Sequence, residues 1–184
     1  GFRPGGLLIS DGGRVQSSSV HIRSDAPQPS FLTVTGPDSL LQITDWVDVR
    51  QGGRLTIADG GRVTDSVGEV RGTANATGEA FVTGMGSLWE NTGLLSVGAE
   101  GNGALTISDG GLVTSGGGAS IGYDYPSSHG SVTVTGAGAT WHVDTGDYGL
   151  RIGGNGQGIL LISNGGRVEA DFASVASNSS GSSS

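Results

Sequence analysis

The chain has 184 residues and a formal net charge of −8, with 37 glycines, 5% aromatic residues, no cysteine, and Arg as its only basic residue besides His. This length suits one domain, the missing cysteine excludes disulfides and thiolate metal sites, and the acidic balance argues against general binding to nucleic acid, whose phosphates favour a basic surface. Glycine does not recur at every third position, which excludes collagen, and Leu, Ile and Val recur too regularly for a disordered chain.

Read from the first residue, one motif returns four times. It is "LLISDGGRV" at Leu7–Val15, "LTIADGGRV" at Leu55–Val63, "LTISDGGLV" at Leu105–Val113 and "LLISNGGRV" at Leu160–Val168. Between the copies stands a second motif, "LTVTGPDSLL" from Leu32, "AFVTGMGSLW" from Ala80 and "VTVTGAGATW" from Val132. Both have an alternating apolar strand, a Gly-containing turn and then one large apolar residue. Aligned on the last inward residue of the strand, the anchors are Ile9, Val34, Ile57, Val82, Ile107, Val134 and Ile162, at spacings of 25, 23, 25, 25, 27 and 28 residues. A second file follows at an offset of six or seven, according to the turn: Val15, Leu41, Val63, Trp89, Val113, Trp141 and Val168. A third file contains Ile22, Val49, Val70, Val97, Ile121, Ile152 and Val175.

Each unit thus holds three short strands that supply inward residues at period two. Like residues at fixed positions predict an all-β fold, a single parallel β-helix of about seven three-strand coils. Residues 1–176 form this segment, and Ser177–Ser184 ("SNSSGSSS") reads as a Ser/Gly-rich tail or linker. The "DGG" turn is a corner, where Gly accepts positive φ and Asp or Asn bonds the turn backbone. Trp89 and Trp141 alternate with Val in the second file, so they are expected to fill the core.

The alternation of "LTISDGGLV" with "VTVTGAGATW", leading into "LLSVGAEGNGAL" or "GLRIGGNGQGIL", resembles the repeats in passenger domains of Gram-negative autotransporters (type V secretion). The resemblance covers nearly all of Leu7–Ser177. It implies a right-handed β-helix that serves as an extracellular stalk, held at the cell surface or secreted. Such a stalk acts in adhesion and virulence, its partners being host-cell or matrix glycans and proteins, or other rods through self-association. It also implies membrane attachment only through a C-terminal barrel that this sequence does not include.

Chemistry is sparse. Asp11, Asp59 and Asp109 recur on alternate coils, about 9.6 Å apart by strand spacing, and sit in turns. This does not match the converging acids of glycan-cleaving β-helices. The three histidines, His21, His129 and His142, lie in no recognisable nucleophile–base arrangement. In "GGNGQG", Gly158 stands where a calcium-binding nonapeptide repeat needs Asp. No enzyme activity, metal or other cofactor is expected. A polysaccharide-degrading β-helix enzyme, a phage tail-fibre segment and a purely structural spacer are the alternatives.

Three outward features remain. Arg23, Arg50 and Arg71 follow the third-file anchors in consecutive coils, so alternation stacks them about 4.8 Å apart. They form a candidate anion or acidic-glycan site unless His21, Asp48 and Glu69, on the other side of the anchors, neutralise them. Two corners are longer than their equivalents and place Tyr123, Tyr125 and Tyr148 on expected exposed tips, where aromatic rings could stack on sugars or proteins. The solvent face of the first strand carries Thr33, Thr35, Thr56, Thr106, Ser108, Thr133 and Thr135, interrupted by Leu8, Phe81 and Leu161.

Overall fold

A computed structural model describes residues 3–25, 28–144 and 149–175. The described residues form strands and turns, wound as a parallel β-solenoid. The first coil comprises β1 (Gly6–Ile9) and β2 (Arg14–Arg23), the second β3 (Ser30–Thr35) and β4 (Leu40–Arg50). The third holds β5 (Gly53–Ala58), β6 (Arg62–Asp65) and β7 (Val67–Arg71), the fourth β8 (Gly78–Thr83), β9 (Leu88–Asn91) and β10 (Leu95–Val97). The fifth holds β11 (Asn102–Ser108), β12 (Leu112–Ser115) and β13 (Ala119–Ile121), the sixth β14 (His129–Thr135), β15 (Thr140–Val143) and β16 (Leu150–Ile152). The seventh holds β17 (Gln157–Ser163), β18 (Arg167–Ala170) and β19 (Ala173–Val175). Seven rungs are therefore joined by six complete turns. The tail expected from Ser177 lies outside the described residues.

All three apolar files hold in register. Ile9 pairs with Val34, Val34 with Ile57, and so on to Ile162. The second file runs unbroken from Val15 to Val168. The third runs from Ile22 to Val175. Trp89 and Trp141 are fully buried, with Val113 between them.

The first two coils depart from the three-strand expectation, because β2 and β4 run through both the second and third files as single long strands. The sequences "VQSSSVHI" and "LQITDWVDV" contain no glycine, whereas "ENTGLL" and "TSGGGAS" do. Without a residue that accepts a tight corner, the strand continues.

In the "DGG" corner both of the first two residues have positive φ: 50° and 87° at Asp59 and Gly60, 51° and 87° at Asp109 and Gly110. Asp and Asn are among the few side chains tolerated there. The second glycine has a different reason. A Cβ on Gly61 would lie 2.3 Å from the Val34 carbonyl oxygen, and one on Gly111 2.4 Å from that of Val82. Glycine here lets the corner close onto the coil before it.

The interior also carries a polar file that the apolar pattern does not announce. Asp65, Asn91 and Ser115 are register neighbours, and all are buried. The indole N–H of Trp89 donates to Asp65 at 2.8 Å, and that of Trp141 donates to Ser115 Oγ at 3.1 Å. Gly68 makes room for the larger group, since a Cβ there would be 3.0 Å from Trp89 Cζ2 and 2.2 Å from Asn91 Oδ1. Burial pushes the Asp65 carboxyl up to about 7, although the Trp89 bond pulls the other way.

Candidate binding surface

The third-file arginines stack as expected, Arg23 beside Arg50 and Arg50 beside Arg71. Their surroundings are not a bare cationic ladder. Asp48, expected on the outer face, is fully buried, because side chains from three coils, His21, Arg50 and Arg71, close over it. His21 Nδ1 lies 3.1 Å from Asp48 Oδ2, Arg71 Nε lies 3.3 Å from Oδ1, and Arg50 pairs with Oδ2.

Arg71 also reaches Glu69 at 3.1 Å and Glu100 at 3.0 Å. Arg23 pairs with Asp25 at 2.7 Å. Burial works against the Arg71 charge. Its hydrogen bond to Asp48 and the nearby Glu69 outweigh this and hold the guanidinium above its ordinary value. Glu69 is raised, first by burial and then by Asp48 and Glu100, with Arg71 opposing. Each guanidinium of the ladder thus has a carboxylate, and Asp48 ties three coils together.

The long corner after β13 is bound down rather than projecting. Asn155 N donates to the Tyr123 carbonyl at 2.9 Å, and Gln157 N to that of Ser128 at 2.8 Å. The Tyr123 ring is half-buried and lies so close to Gly154 that a Cβ there would meet it at 2.6 Å. Arg151 stacks over the same ring at 5.1 Å. With Leu94, Ser120 and Asp124 these residues line a cleft of about 200 Å³. Burial and Glu100 raise the Asp124 carboxyl. Tyr125 is exposed, and Tyr148 lies outside the described residues. The structure brings Tyr123 and Arg151 together and leaves Tyr125 exposed.

The outer face of the first sheet is the most continuous surface. Its strands pair from β1 through β3, β5, β8, β11 and β14 to β17, and three side-chain rows cross it. The central row is Leu8, Thr33, Thr56, Phe81, Thr106, Thr133 and Leu161. On one side lie Phe31, Arg54, Glu79, Ala104, Ser131 and Ile159. On the other are Thr35, Ala58, Thr83, Ser108, Thr135 and Ser163.

The charged members of these rows, Arg54 and Glu79, pair with each other at 2.6 Å, and Arg54 lies 5.3 Å from the Phe81 ring centroid. Hydroxyls link neighbouring rungs: Ser108 Oγ donates to Thr83 Oγ1 at 2.9 Å and Ser163 Oγ to Thr135 Oγ1 at 3.0 Å. Leu8, Phe31, Ile159 and Leu161 are exposed. The face is thus poor in net charge on an acidic molecule, and apolar at both ends.

His142, on the opposite side, is an exposed clasp between Glu169 at 3.1 Å and Asp144 at 2.9 Å. Glu169 is the main reason its pKa is raised. Among the described residues, no group of three His, Asp or Glu side chains is placed to hold a metal ion. Comparison with protein-family models, with curated proteins and with solved structures found no match.

Proposed function

We propose that the chain is a non-catalytic extracellular stalk of the autotransporter type, acting at a bacterial surface through adhesion and, above all, self-association of rods. The observation that carries this reading is the seven-strand outer face of the first sheet. It runs the full length of the described solenoid, and its only charged pair neutralises itself. Depletion of charge around apolar and hydroxyl groups is the composition of an interface core. Contacts that are weak per rung add along a rod. The acids of the "DGG" corners recur two rungs apart, and the intervening corners of Gly84 and Gly136 carry no carboxylate, while that of Gly36 carries Asp38.

Net charge opposes contact. At −8 per chain, rods repel across a Debye length of about 30 Å at 0.01 M salt, against about 8 Å at physiological strength. Sedimentation velocity is therefore expected to show monomers at low salt and larger species at physiological salt. An unchanged sedimentation coefficient across that range overturns the self-association reading. Release of reducing sugar from a glycan panel overturns the non-catalytic one.

A further inference from the structure

We infer that the first-sheet face binds a second copy of this chain face to face and antiparallel, rung one against rung seven, with a two-fold axis passing through rung four. The inference rests on the self-association reading and specifies its geometry.

The central row reads the same from either end. Two sheets packed in alignment, with one rod reversed, set Leu8 against Leu161, Thr33 against Thr133, Thr56 against Thr106, and Phe81 against itself. Such an interface is isologous, as a closed dimer requires. The hydroxyl row agrees with it: Thr35 meets Thr135, Ala58 meets Ser108, and Thr83 meets itself. In the third row Arg54 and Glu79 occupy adjacent rungs at the axis. Reversal sets Glu79 against itself, as it does Phe81 and Thr83, and places an Arg54 one rung away on either side, so that two guanidiniums flank the two facing carboxylates. A parallel alignment instead sets this row against the hydroxyl row, where the charges lose water and gain no partner.

The charge of the whole rod points the same way. Residues 1–71 contain seven Arg and eight acidic residues, residues 72–184 two Arg and nine acidic residues. Antiparallel packing sets the nearly neutral part of one rod on the acidic part of the other; parallel packing sets acid on acid. The area suffices as well. Seven rungs at about 4.8 Å and strands about 20 Å long make a face of roughly 680 Å², so that about 1,350 Å² is buried in all. That falls within the roughly 1,200–2,000 Å² of stable interfaces.

The chain has no cysteine, so a single introduced thiol reports its own position. Three variants, Thr83→Cys, Thr33→Cys and Thr133→Cys, are treated at physiological salt with a bis-maleimide spanning about 10 Å, the separation of two packed sheets. Thr83→Cys is expected to cross-link to itself. Thr33→Cys alone is not, because its copy stands four rungs or about 19 Å away along the axis. Thr33→Cys mixed with Thr133→Cys is expected to link.

Self-linking of Thr33→Cys as efficient as that of Thr83→Cys means parallel rods and overturns the inference. So does absence of all three links while sedimentation still shows association, which places the contact on another face. Absence of association at any salt instead removes the underlying self-association reading. Phe81→Arg puts a charge on the axis twice and is expected to weaken association at least tenfold with an unchanged melting temperature; unchanged association contradicts the proposed face.

Discussion

Trp89 donates its indole proton to Asp65 from inside the coil, at 2.8 Å. The carboxylate that receives it is buried, and its other oxygen has no hydrogen-bond partner among the described residues. Asn91, its register neighbour, also has an unpartnered Oδ1. Burial raises the Asp65 carboxyl to about 7, so below that pH the folded state holds it protonated, and the acid O–H is a donor that a carboxylate lacks.

This has a definite pH sign. Asp65 titrates near 3.8 when unfolded and about 7 when folded, so between those values the native state binds the extra proton. Its contribution to stability is full below the unfolded value and falls as pH rises through the folded one, by up to about 1.4 kcal/mol per pH unit. Glu69, Asp124 and His142 are also raised and act in the same direction. The diagnostic quantity is therefore the difference between wild type and Asp65→Asn. Urea unfolding at pH 5 and pH 8 is expected to show a smaller loss for the variant, whose amide is neutral throughout. Equal losses would place the titration elsewhere.

Asp48 tests the network among the first coils. Asp48→Ala empties a buried site, takes away the carboxylate of Arg50 and leaves Arg71 with Glu69 and Glu100, and is expected to cost about 2–3 kcal/mol in chemical denaturation. Arg23→Gln breaks only the exposed pair with Asp25 and is expected to cost under about 1 kcal/mol. Similar costs for the two would mean that Asp48 is not the centre of the network.

The second corner glycine gives a purely steric prediction. Gly111→Ala drives a methyl against the Val82 carbonyl oxygen, whereas Gly5→Ala meets nothing within 4 Å. The first is expected to destabilise by about 2–3 kcal/mol, as overpacking does, and the second to leave the melting temperature unchanged. A neutral Gly111→Ala would mean that the corner can open.

Trp141→Ala empties a fully buried site and removes the donor to Ser115. Thermal denaturation is expected to register a loss of about 3–5 kcal/mol. A loss below about 1 kcal/mol would contradict the stacking of Trp141 on Val113.

The register of the solenoid was legible because a coil must return a side chain of one kind to one place. Ile9, Val34 and Ile57 carry that signal without help from their neighbours. The polar interior was not legible. Asp65 and Asn91 are polar and belong to none of the apolar files, and only the bond from Trp89, on the next rung, shows what Asp65 meets inside. The one available hint was that Asp65 follows inward Val63 at a spacing of two.

The burial of Asp48 was hidden for a related reason. Its cover comes from His21 and Arg71, in coils before and after it, and strand alternation assigns no cover to an outward residue. The arginine stack itself was visible in the sequence, whereas its division among Asp25, Asp48, Glu69 and Glu100 depends on side-chain reach. Tyr123 was expected at a tip and is held instead against Gly154, because the longer corner folds back onto the next coil. The palindrome of the first-sheet face was present in the sequence. It becomes an argument once the rows are known to align.

Small-angle X-ray scattering of the full chain across salt tests rod and association together. At low salt the account predicts a monomeric rod. At physiological salt it predicts twice the mass, a thicker cross-section and nearly the same maximum dimension, because two antiparallel rods overlap along their full length. A maximum dimension that doubles with the mass would mean end-to-end stacking, and a mass that never changes would mean that the first-sheet face binds no second copy.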